Sequence, residues 1–215
     1  MTTPSEMTTP PGLKRFLRPA QRPRPGEQCE MCTEPIAEEH GHVIDLETRS
    51  IMCACRGCYL LFTHTGAGGN RRRAVPDRYL HAPAFEQGEA LWETVGIPVR
   101  MAFLFRNSML DQTVAFYPSP AGATESLLPL GAWEEMLDGN DELSSIEPDV
   151  EALLINRRPE GFECFLVPID NCYELVGLVK MHWRGFDGGS DAWKRIDEFF
   201  TMLRERSTRV GDADD

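Results

Sequence analysis

Two short strings, Cys29-Glu30-Met31-Cys32 and Cys53-Ala54-Cys55-Arg56-Gly57-Cys58, decide how the N-terminal part of this chain folds. Together they read C-x2-C-x20-C-x-C-x2-C. A tetrahedral metal ion needs four soft or borderline ligands, and two CxxC turns supply two thiolates each. Within such a turn the backbone N–H groups point at the sulfurs and stabilise their charge. Between the strings, Val43–Glu47 and Ser50–Cys53 have the composition to pair as a hairpin around Thr48-Arg49. The second CxxC then opens a helix-like run, Tyr59-Leu60-Leu61-Phe62. The expected ligands are Cys29, Cys32, Cys55 and Cys58.

A knuckle, a hairpin and a CxxC at a helix start have the layout of a treble-clef zinc finger, and a helix N-terminus favours thiolates. Cys53 complicates the reading. On an extended strand positions 53 and 55 face the same side, so Cys53 is an alternative ligand, a strand thiol outside the site, or a fifth sulfur for redox exchange. Iron and iron–sulfur clusters accept the same thiolates and stand as the alternative to zinc; with iron in the four-thiolate site the chain reads instead as a redox or electron-transfer protein. His40 and His42 flank Gly41 just before the hairpin; either is an outer partner of the site, an alternative ligand, or a side chain that caps a turn or packs over the site, with His42 the first candidate for the outer partner. Four thiolates leave no open position for Lewis-acid chemistry. The metal is therefore expected to be a folding staple for a segment with little apolar core.

The whole chain has 215 residues, 41% hydrophobic and 26% charged, which excludes fibrous and disulfide-scaffold classes. The net charge of −12 is uneven: residues 1–80 carry eleven basic against nine acidic side chains, and residues 81–215 eleven against twenty-five. An acidic body disfavours general nucleic-acid binding. The local exception is Arg71-Arg72-Arg73 with Arg78, read as a solvated loop salt-bridged to the acidic body; a metal-stapled regulator touching nucleic acid through it is the rival reading. No apolar run is long enough for a membrane span. The first 28 residues hold six Pro and no apolar signal region, so the expected location is the cytoplasm. Clustered cysteines in a reducing compartment read as metal ligands.

The expected organisation is a disordered tail over 1–27, a Cys-rich metal module over 28–66, a connector over 67–96, an α+β domain over 97–206 and an acidic tail over 207–215. Val99–Phe105 and Thr113–Tyr117 read as strands, and so do Val150–Asn156 and Cys164–Ile169 on either side of the turn at Arg158. Leu130–Leu137 reads as a short helix, and Cys172–Val179 as a strand or a short helix. Ala192–Arg206 is helical, because Trp193, Ile196, Phe199, Phe200 and Leu203 recur at three and four, with Ser190 as its cap. The class is α+β with a mostly antiparallel sheet.

Catalytic patterns are weak. Cys172, His182 and Asp170 or Asp187 contain the residue types of a thiol triad, but nothing beyond co-occurrence supports one, and Cys172 reads better as a small buried side chain. Trp183, Arg184 and Phe186 stand beside flexible glycines, a composition typical of interface hot spots, and are the candidate partner-binding residues.

Several long strings carry a resemblance: Cys29-x2-Cys32, His42-Val-Ile-Asp-Leu46, Cys53-x-Cys55-x2-Cys58, Phe116-Tyr-Pro-Ser-Pro-Ala-Gly-Ala-Thr-Glu125, Pro148-Asp-Val-Glu-Ala-Leu-Leu154, Val167-Pro-Ile-Asp-x-Cys172-Tyr-x-Leu-Val-Gly177 and Trp183-Arg-Gly185. Over roughly residues 28–206 the chain resembles a domain-of-unknown-function family encoded beside uptake [NiFe]-hydrogenase genes in actinobacteria and relatives. That resemblance brings no established activity. By gene neighbourhood it implies a hydrogenase accessory or maturation role, with a hydrogenase subunit or maturation factor as partner.

Overall fold

A computed structural model describes residues 28–64, 66–85, 88, 89, 92, 99–126 and 141–210. The expected tail over 1–27 and the expected helix Leu130–Leu137 lie outside the described residues. The architecture is mixed α+β with two sheets, antiparallel except at one edge.

The smaller sheet has the order β2-β1-β3, with β1 Gly41–Asp45, β2 Ser50–Ala54 and β3 Arg72–Ala74. Asp45 closes its hairpin by accepting the backbone N–H groups of Glu47 and Thr48 at 3.2 and 3.1 Å, and Arg49 takes the left-handed turn position. The short helix α1, Arg56–Leu60, follows β2.

Seven strands form the larger sheet: β4 Leu80–Ala82, β5 Met101–Asn107, β6 Gln112–Ser119, β7 Gly122–Ser126, β8 Glu151–Arg158, β9 Gly161–Pro168 and β10 Thr208–Arg209. Their order is β10-β4-β9-β8-β5-β6-β7. The helical turn α2, Asp141–Ser144, precedes β8, and the long helices α3 Ile169–His182 and α4 Gly189–Arg206 follow β9.

Strand alternation sorts the apolar residues onto two faces. Met101, Phe103, Phe105, Leu154, Phe165 and Val167 point to the face covered by α3 and α4, where Leu175, Val179, Ile196, Phe200 and Leu203 meet them. Ala102, Leu104, Leu153, Ile155, Cys164 and Leu166 point the other way, toward Phe85, Trp92 and Leu143. Because both faces are covered, Met101–Phe105 is buried without a break. Each fully buried large side chain such as Phe103 contributes about 1.5–3 kcal/mol.

Ile44 and Val75 join the helix-side core, with Leu46 and Ile51 packed against it. The small sheet therefore docks on the large domain. Arg73 fixes the contact by donating to Pro148 O at 2.7 Å and Glu147 Oε2 at 3.1 Å.

The structure adds short strands to the stretches read as connector and tail, and it corrects the reading of one helix cap. The stretch read as a connector carries β3 and β4, and the stretch read as a tail carries β10; strands of two or three residues give no periodic signal. Of the two alternatives open for Cys172–Val179 the structure has the helix, since Ile169, Cys172, Leu175, Val176 and Val179 bury one helical face despite their strand-prone composition. Helix α4 starts at Gly189, with Gly188 in the left-handed cap position at φ +89°, so Ser190 lies inside its first turn rather than at the cap. Cys172 is the small, fully buried side chain that the sequence indicates, and the triad residues are apart, His182 pairing with Asp191 at 3.0 Å and Asp170 with His42.

Candidate metal centre

The first CxxC forms a tight knuckle. Thr33 N–H donates to Cys29 O and Cys29 N–H to Glu34 O, both at 2.8 Å, while Thr33 adopts a left-handed φ of 65°. The knuckle is tied to β2 through Glu30, whose N–H donates to Cys53 O at 2.9 Å and whose carboxylate accepts Cys53 N–H at 2.7 Å. At the second CxxC, Cys55 caps α1 and its sulfur accepts the Cys58 N–H at 3.5 Å.

These turns bring the Cys29, Cys32, Cys55 and Cys58 sulfurs within 4.8 Å of one another, with Cys32 and Cys55 3.6 Å apart. Zinc with bonds of about 2.3 Å spaces tetrahedral sulfurs about 3.8 Å apart, so the four thiols suit such an ion. Cys29 is fully buried and Cys32 exposed, which places the cluster at the surface end of the small sheet.

The electrostatics ask for a cation. Burial raises the Cys29 thiol, yet the backbone N–H groups of Cys55, Cys32 and Met31 outweigh it and hold it at about 6. Cys58 moves strongly upward, first through burial and then through the sulfurs of Cys32, Cys55 and Cys29. The Glu34 backbone lowers Cys32, but the Cys29 and Cys55 sulfurs outweigh it and raise the thiol. Four adjacent sulfurs resist joint ionisation unless a positive ion sits among them. The local apolar core is small: Cys29, Val43 and Ala54, with Met31, Ile36, Met52, Tyr59 and Phe62 packed around them.

Cys53 falls outside this four-sulfur group and lies with His40 and His42. Strand β2 ends at Ala54, and Cys55 turns away as the cap of α1, so the strand parity that would put residues 53 and 55 on one side is broken. His42 reaches Asp170 rather than a cysteine of the centre, with Nδ1 2.5 Å from Oδ2.

The basic run is neutralised within the chain. Arg71 pairs with Asp45 and Glu47, both at 2.9 Å, and Arg72 lies 3.5 Å from Asp45. Arg78 clamps the buried Glu151 at 2.8 and 2.6 Å. Sequence reasoning missed the companion cluster, in which buried Glu163 takes Arg204 at 3.0 and 2.8 Å and Asn156 at 2.8 Å, with His81 Nε2 3.3 Å away.

Trp183, Arg184 and Phe186 sit on the turn between α3 and α4. Trp183 packs edge-on against Trp193 at 5.6 Å, Arg184 pairs its backbone with Gly188, and the Phe186 ring is fully exposed. Among the described residues no helix is long and apolar enough to cross a membrane.

The fold and the site thus define a mixed α+β protein with a four-cysteine cluster able to hold a metal ion. Residues 28–207 match a family of unknown function (DUF5947), and the chain belongs to that family. Neither a curated protein nor a solved structure matches the chain.

Proposed function

We propose that Cys29, Cys32, Cys55 and Cys58 hold a structural zinc ion in a treble-clef-like module, and that the chain is a non-enzymatic accessory or maturation protein of a [NiFe]-hydrogenase system. The observation that carries the staple is the completeness of the four-sulfur set. Four protein thiolates fill a tetrahedral ion and leave no position for substrate or water. Besides the ligand Cys29, the apolar cluster around the cysteines buries only Val43 and Ala54 among the described residues, which supports the same reading, because metal-binding energy then becomes folding energy.

The partner class rests on the resemblance to proteins encoded beside uptake hydrogenase genes. The exposed Phe186, on the same turn as Trp183 and Arg184, supplies with them aromatic and guanidinium groups of the kind that anchor interfaces. The net charge of −12 makes a basic partner surface favourable. The proposed location is the cytoplasm. Tagged protein captured from its native host under gentle lysis is expected to bring down a hydrogenase subunit or a maturation factor. Recovery of neither overturns the accessory role.

A further inference from the structure

His40, His42 and Cys53 form a second group of ligating side chains, one ligand atom of each lying within 4.8 Å of the others. Strand pairing puts them there. His42 and Cys53 are direct partners across β1 and β2, so their side chains share a face. His40 lies just ahead of β1, with its ring edge-on to that of His42 at 4.8 Å between centroids. The Cys53 backbone is held by Glu30, whose N–H donates to Cys53 O and whose carboxylate accepts Cys53 N–H.

Hydrogen bonding sets the imidazoles. His40 Nδ1 lies 2.9 Å from both Ala37 O and Glu38 O. Carbonyls only accept, so Nδ1 carries the proton and Nε2 bears a lone pair. That Nε2 is buried and has no hydrogen-bond partner among the described residues. His42 Nδ1 faces the Asp170 carboxylate, which leaves its Nε2 as the ligating atom. A histidine held through one nitrogen by a carboxylate or carbonyl, with the other nitrogen presented, is the arrangement that metal-binding imidazoles adopt.

We propose that His40 Nε2, His42 Nε2 and Cys53 Sγ form a second metal site, distinct from the four-cysteine centre, that takes a borderline divalent ion such as zinc and keeps one exchangeable position. Two imidazoles and a thiolate select zinc or its transition-metal neighbours over magnesium and calcium. Three protein ligands complete only part of a tetrahedral shell, and the remaining position is filled from solution. His40 and His42 line a cavity of about 1110 Å³, shared with Tyr59, Tyr79, Asp170 and Glu174, and Cys53 is not on its wall. The thiolate therefore anchors the ion from behind, and the exchangeable position faces the cavity.

The test uses the full chain, stripped with chelator under reducing conditions, reloaded with zinc, desalted and analysed by mass spectrometry. Wild type is expected to carry two ions, and Cys53→Ser and His40→Ala one each, all with unchanged far-ultraviolet circular dichroism. Should His40→Ala fail to fold, Cys53→Ser, the near-isosteric change, decides. One ion in wild type and in both variants overturns the second site alone. One ion in wild type and none in the variants upholds it and overturns the four-thiolate staple instead. With cobalt as probe, added imidazole is expected to shift the visible bands of wild type and leave those of Cys53→Ser unchanged. An unshifted wild-type spectrum overturns the exchangeable position.

Discussion

Asp170 Oδ2 lies 2.5 Å from His42 Nδ1, so the first turn of α3 holds the first strand of the small sheet across 128 positions of chain. The contact both docks the small sheet and orients an imidazole. Asp170→Asn is expected to weaken zinc at the His40–His42–Cys53 site by about 10- to 100-fold, the usual effect of losing a carboxylate behind a ligating histidine. Competition titration of the zinc-loaded chain against a chromogenic chelator checks this, and the four-cysteine centre should keep its affinity.

Removal of the metal should loosen one part of the molecule. Among the described residues, only Val43 and Ala54 are buried with Cys29 in the cluster around the cysteines, whereas the large sheet has extensive cores on both faces. Cys29→Ser, or a strong chelator, should raise amide hydrogen exchange across β1, β2 and α1 and leave β8 and β9 protected. Equal loss of protection everywhere would mean that the metal holds the whole fold together.

Acid should find Glu163 and Asp45. Burial raises the Glu163 carboxyl, but His81, Arg204 and Asn156 outweigh it and hold it far below the ordinary carboxylate range. Asp45 behaves alike: burial raises it, while the Thr48 backbone and the Arg71 guanidinium bring it to about 2. In both cases the unfolded chain binds more protons than the folded one. Their stabilisation is therefore complete above the ordinary carboxylate value of about 4 and is lost as pH falls below it. Glu163→Gln should cost roughly 3 kcal/mol at neutral pH by leaving Arg204 without its carboxylate, and should flatten the acid limb of a urea-midpoint against pH curve.

The turn between α3 and α4 separates stability from binding. Gly188 has φ +89°, and a Cβ there would lie 2.9 Å from the Trp183 ring. Gly188→Ala should destabilise by about 1–3 kcal/mol in thermal unfolding, through the strained backbone and the ring displacement. Phe186 touches solvent on all sides, so Phe186→Ser should change stability by less than about 0.5 kcal/mol. If this turn is the proposed partner face, the same change should abolish recovery of the partner in the capture experiment.

The cysteine spacing made the four-sulfur group legible, because CxxC is a local turn whose geometry needs no distant contact. The strands at Val99–Phe105 and Val150–Asn156 and the final helix were legible for the same reason: each carries its own period. What stayed hidden depends on register. His42 faces Cys53 only because β1 and β2 pair as they do, and Asp170 reaches His42 only once the small sheet docks on α3. The run Cys172–Val179 was ambiguous because its valines suit a strand. The spacing Ile169, Cys172, Leu175, Val176, Val179 was the helical signal that could have decided it. Glu163 gave no signal at all, since its partners lie on three other elements or turns of the sequence.

The central claim, a closed four-thiolate zinc centre, is tested most directly by X-ray absorption at the zinc edge on zinc-loaded Cys53→Ser protein, in which only that centre remains to bind. The account predicts one colourless ion per chain with four sulfur neighbours at about 2.3 Å and no nitrogen or oxygen neighbour. Nitrogen or oxygen neighbours, or a chain from its native host that is coloured by thiolate-bound iron, would contradict it.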